Sequence, residues 1–133
     1  CYSPKVVFWM PAWGDDDKTT GDPQREISLI YYPNRDGLED RVYRIKTERS
    51  GASTPEPRTT HMISNIERLG EKEGGIEVRY NWVTYSHRYQ HTDAYFGTTH
   101  CTLVEQDGQP LIMRKTVRLN NDYIRQVIDV YHI

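Results

Sequence analysis

The chain has 133 residues, a mass of 15.7 kDa and a formal net charge of −2, from 17 Lys+Arg against 19 Asp+Glu. Compact domains peak near ~100–150 residues, so one domain over residues 1–133 is expected. No apolar run approaches the ~20 residues that a membrane helix needs, and the interleaved charges leave no basic stripe for nucleic acid.

Val, Ile, Thr, Tyr, Phe and Trp together supply 46 of the 133 residues. These types suit a pleated, half-buried surface, whereas Ala, the best helix former, occurs only three times. The chain is therefore expected to be mostly sheet, with a thin core rich in its 15 aromatics. Cys1 and Cys101 are too few for a disulfide framework. With no Asn-x-Ser/Thr sequon and no signal peptide, a reducing cytoplasm is the expected compartment.

Lys5–Met10 is a short apolar run closed by Pro11, which reads as a strand. The acidic run Asp15–Asp17, with Gly14, Gly21 and Pro23 around it, is a loop. Glu26–Tyr32 reads as a second strand. Leu38, Val42 and Ile45 then fall at helical spacing, which predicts a helix from Asp36 to about Glu48. Asp36 is the expected N-cap, because Glu39 stands at capping-box distance. Ser50–Pro57 reads as a loop, and beyond it the period changes to two. Strands are expected over Arg58–Leu69, from Ile76 to about Gln90, over Thr92–Val104 and over Leu111–Asn120. Gly74-Gly75 and Asp107-Gly108 mark hairpin turns. The tail fits two patterns: Ile124, Val127, Ile128 and Tyr131 suit a helix, while Ile128, Val130 and His132 suit a strand. The expectation is a turn near Asn120–Asp122 and then a short terminal strand. Long adjacent hairpins must twist and curl, and a curled sheet closed over a helix makes a cone-shaped α+β domain.

Candidate chemistry is sparse. His87 and His91 have a metal-binding spacing for a helix. On a strand, however, they would lie about 13 Å apart at ~3.3 Å per residue, so they read as hydrogen-bonded surface groups. An iron–sulfur cluster of the Rieske type needs two Cys and two His, and His100-Cys101 is the one adjacent pair. No metal site and no catalytic residue is therefore assigned. Cys101, between apolar neighbours, reads as an inert buried thiol. Tyr80, Trp82, His87, Asp93, Tyr95 and His100 are candidates for lining the inside of a cone. There Asp93 or His100 among aromatics would suit acid–base chemistry on a flat substrate, as in a free-standing isomerase, dehydratase or cyclase. Two features read as a partner surface: Trp9, Met10 and Trp13 around Pro11, and Arg114, Lys115 and Arg118 with Arg125 after them.

Four stretches carry a resemblance. Val6–Trp13 (VVFWMPAW), Ile30–Ile45 (IYYPNRDGLEDRVYRI), Pro57–Ile66 (PRTTHMISNI) and Leu111–Ile133 resemble, in that order, the small (beta) subunit of aromatic-ring-hydroxylating dioxygenases of the benzoate/anthranilate/2-halobenzoate branch. The Arg41–Ile45 helix motif, Arg58 and Ser64-Asn65 look specific to the family, and Tyr32–Arg35 looks like the anthranilate/halobenzoate type. The resemblance implies the cone fold of nuclear transport factor two and ketosteroid isomerase. It also implies a non-catalytic subunit supporting a large (alpha) subunit, three of each in the assembly. The large subunit would carry the Rieske [2Fe-2S] cluster and mononuclear Fe(II), with NADH delivered through a separate reductase. Members of that family begin with two helices that pack on the sheet, and this chain is expected to lack them.

Overall fold

The computed structural model describes residues 1–47, 53–72 and 74–133. Six strands and one helix follow in the order β1 (Tyr2–Pro11), β2 (Ser28–Tyr32), α1 (Arg35–Lys46), β3 (Arg58–Lys72), β4 (Gly75–Arg88), β5 (His91–Gln106) and β6 (Gln109–Leu119). They form one sheet in the spatial order β2-β1-β6-β5-β4-β3. All neighbours are antiparallel except β1 and β6, which run parallel with Phe8 opposite Lys115 and Trp9 opposite Thr116.

Strand alternation sorts the side chains between two faces. One face, called inner here, holds Val6, Phe8 and Met10 of β1, Lys115, Val117 and Leu119 of β6, Tyr95 and Thr99 of β5, and Trp82, Thr84 and Ser86 of β4, all buried. Leu38 of α1 and Ile128 of the tail complete the apolar cluster. Gly97 is required where β5 meets β6: a Cβ there would stand 1.9 Å from the Arg118 carbonyl oxygen. β3 is the exception to this burial. Met62, Ile63, Ile66 and Leu69 are all roughly half exposed or more.

The helix starts earlier than the sequence pattern indicates. Asn34, not Asp36, is the N-cap: its side chain accepts from the Asp36 backbone N–H, and Glu39 instead pairs with Arg35. Asp36 sits in the first turn, where its charge favours the helix dipole. Glu48, the expected end of the helix, and residues 50–52 of the expected loop lie outside the described residues. The terminal strand is not formed. After Leu119 the chain runs irregularly to a single 3-10 turn at Val130–His132, where Asp129 caps the Val130 N–H. Side-chain bonds to distant elements, rather than a ladder, hold this tail.

Candidate functional site

The tail closes over the inner face through a buried polar network. Asp129, 1% exposed, accepts from Arg41 of α1 through Nε at 2.8 Å and Nη2 at 2.5 Å, and from the Val130 N–H at 2.7 Å. The Asp129 N–H donates to His132 Nδ1 at 3.0 Å. Because Nδ1 accepts, the ring proton is on Nε2, which donates to Ser86 Oγ at 3.2 Å. The Tyr95 ring lies 4.5 Å from that imidazole. Burial pushes the His132 pKa down to about 4, and Arg41 is held charged chiefly by its hydrogen bond to Asp129. Every polar atom of the His132 ring and of the Asp129 carboxylate is engaged, so this network is a clasp and not an open acid–base pair.

The residues expected to line a cone are only partly brought together. Tyr80 and Trp82 lie on the inner face, and burial, with Cys101 as a lesser cause, pushes the Tyr80 hydroxyl up to about 12. Asp93 shares that face but is bound by Gln126 Nε2 at 3.1 Å and His91 Nε2 at 3.2 Å. His100 does not join them. It stands opposite Arg79 on β4 and Thr116 on β6, in alternation with the inward Thr99 and Cys101. Burial and then Arg118 lower its pKa from the outer side of the sheet. His87 likewise takes the outer parity and bonds Thr92 at 2.8 Å.

The expected partner surface is also divided. Trp9 and Met10 are consecutive on a strand and so face opposite ways. Met10 is fully buried in this chain's own core, and Lys115, opposite Phe8, is buried too. Trp9, Arg114 and Arg118 share the outer face, and the half-exposed Trp13 is anchored there by its indole N–H to the Leu119 carbonyl at 2.5 Å. Arg125 lies apart on the tail, against His91. The same outer parity adds Arg79, Tyr85 and Phe96, the last two nearly half exposed. Period-two counting along β4 and β5 would have found them.

A family model for the ring-hydroxylating beta subunit matches residues 1–126. The chain belongs to this family. Its relatives include the beta subunit of toluate 1,2-dioxygenase from Pseudomonas putida, 58% identical over 132 residues, covering 99% of this chain and 82% of that one. The small subunit of 2-halobenzoate 1,2-dioxygenase from Burkholderia cepacia is 56% identical over 133 residues, covering 100% and 81%. Among solved structures, the benzoate 1,2-dioxygenase beta subunit from Burkholderia mallei matches with TM-score 0.80 at 49% identity, covering 100% of this chain and 80% of that chain. The naphthalene 1,2-dioxygenase structure with indole bound, at TM-score 0.75 and 12% identity over 100% of this chain and 72% of that chain, shares the fold alone. The cone fold and the subunit assignment both follow from these matches, and the free-standing cone enzyme gains no support from them.

Among the described residues no three His, Cys, Asp or Glu side chains gather as a metal-binding group. Cys101 is buried, with Tyr80 and Lys115 as its polar neighbours, and Cys1 is exposed.

Proposed function

We propose that this beta subunit assembles with the catalytic alpha subunit of an aromatic-ring 1,2-dioxygenase whose substrate is an aromatic carboxylate of the benzoate class. Three subunits of each kind form the oxygenase in this reading. The Rieske cluster and mononuclear iron reside in the alpha subunit, NADH supplies electrons through a separate reductase, and the assembly works in the cytoplasm. The observation that carries the reading is identity above 55% along nearly the whole chain to subunits named for toluate and 2-halobenzoate dioxygenases.

The subunit's contribution is structural. Residues 1–133 act as one domain, and the outer face of the sheet (Trp9, Trp13, Arg114 and Arg118, joined by Arg79 and Phe96) is the docking surface. Exposed aromatics beside arginines are the side-chain types enriched where proteins meet. The decisive experiment is native-mass determination from the source extract, with the co-migrating chains identified and iron counted. A large complex containing an iron–sulfur subunit and oxidising benzoate-type acids supports the reading. A lone monomer or small homo-oligomer refutes it.

A further inference from the structure

Among the described residues, the cone interior holds a cation with no ion-pair partner. Lys115 is 8% exposed, with its ammonium 5.5 Å from the centroid of the Phe8 ring. An ammonium taken out of water without a counter-charge is unfavourable, and burial accordingly lowers its pKa.

Lys115 lines a cavity of about 210 Å³ together with Ile63, Tyr80, Trp82 and Thr84. On its wall the Trp82 Nε1 and the Thr84 Oγ1 are buried, at 7% and 1% residue exposure, and neither has a hydrogen-bond partner. His61, also on the wall, donates Nε2–H to the Tyr131 carbonyl. The lining therefore offers a cation and unmet hydrogen-bonding groups but no Asp or Glu side chain, and Ile63, Met62, Ile133 and the Trp82 ring make the remainder apolar. Cavities for drug-sized ligands run ~300–1,000 Å³, so this one has room for a single ring.

We propose that the cone of this beta subunit binds one single-ring aromatic carboxylate, with the carboxylate on the Lys115 ammonium and the ring among Trp82, Tyr80 and Ile63. The anion site rests on Lys115 and its neighbours. The aromatic ring of the ligand rests on the benzoate-class reading above.

The test uses the complete oxygenase, alpha and beta subunits together. Crystals are soaked with 4-bromobenzoate and the anomalous bromine density is located, while equilibrium dialysis with radiolabelled benzoate counts equivalents bound per alpha–beta pair. Bromine density in the cone, and loss of one bound equivalent in Lys115→Met, are expected. Should Lys115→Met fail to assemble, Ile63→Trp fills the cavity from its exposed rim, keeps the ammonium and should lose the same equivalent. A cone without bromine, unchanged equivalents in either assembled variant, or a carboxylate of the protein itself seated on Lys115 overturns the inference. Bromine in the alpha subunit but not in the cone refutes this inference and leaves the benzoate-class reading standing. The reverse pattern sustains the cone site and refutes that reading.

Discussion

Replacing Arg41 by Met tests whether the clasp between helix and tail is what holds the tail in place. Met keeps most of the apolar stem and removes both bonds that the guanidinium makes to Asp129. The carboxylate, 1% exposed, is then left with the Val130 N–H at 2.7 Å and a long contact to Ser53 Oγ at 3.4 Å. Breaking a buried pair from one side costs about 3–5 kcal/mol, because the surviving charge is uncompensated. Arg41 is 22% exposed in its side chain, so water reaches part of the gap and the lower end, about 3 kcal/mol, is expected. For a chain of this size each kcal/mol shifts the melting temperature by roughly 3–5 °C, giving a fall of about 10 °C. The assay is calorimetry of the assembled oxygenase at fixed protein concentration, since association itself contributes stability. The double variant Arg41→Met/Asp129→Leu removes both charges and should recover at least about 1 kcal/mol of the loss. An Arg41→Met cost below about 1 kcal/mol, or strictly additive losses in the double variant, would refute the coupling.

Three further outcomes are expected. His132 is neutral in the fold, with its pKa lowered from 6.5 to about 4. Its contribution is thus complete above pH 6.5 and is lost as pH falls from there to about 4, with a slope approaching ~1.4 kcal/mol per pH unit. Urea midpoints for the wild type minus those for His132→Gln should show that slope, and a flat difference contradicts it. Gly97→Ala must push β5 off the Arg118 carbonyl, so a loss of at least about 1–3 kcal/mol in thermal or urea unfolding is expected, and an unperturbed melting curve would mean the strands are not in this register. Trp13→Ala should weaken sedimentation as an alpha–beta complex while the beta subunit keeps its circular dichroism; normal assembly would remove the strand exit from the proposed docking surface.

Local patterns in the sequence reveal those elements that local forces determine. Period-two alternation marks β4 because Trp82, Thr84 and Ser86 meet the core while their neighbours do not. It marks β3 as a strand but not its burial, since that strand lies largely exposed. His100 is a failure of register rather than of chemistry: it differs in parity from Asp93 and Tyr95, and no bulge interrupts the β4–β5 ladder between them. Met10 fails for the same reason beside Trp9. The tail was illegible because its partners are remote. Arg41 lies 88 residues from Asp129, and Ser86 lies 46 from His132, so no window of neighbouring residues carries the signal. The Asn34 cap is masked in the sequence by a capping-box spacing two residues later, which offers a competing start.

The parallel seam between β1 and β6 has a consequence for how the chain comes into being. Val7 pairs with Arg114, more than a hundred residues further on, so β1 is docked by a strand made long after it. At ~5–20 residues per second of synthesis, β1 waits on the order of 5–20 s for its partner. The meander of β3, β4, β5 and β6 is built from consecutive hairpins and is free to form first, since local contacts form fastest. Until β1 and β2 arrive, the β6 edge stands open with Val117 and Leu119 uncovered. The nascent subunit is most exposed to misassociation once β6 has been made and β1 has yet to be filed between β2 and β6.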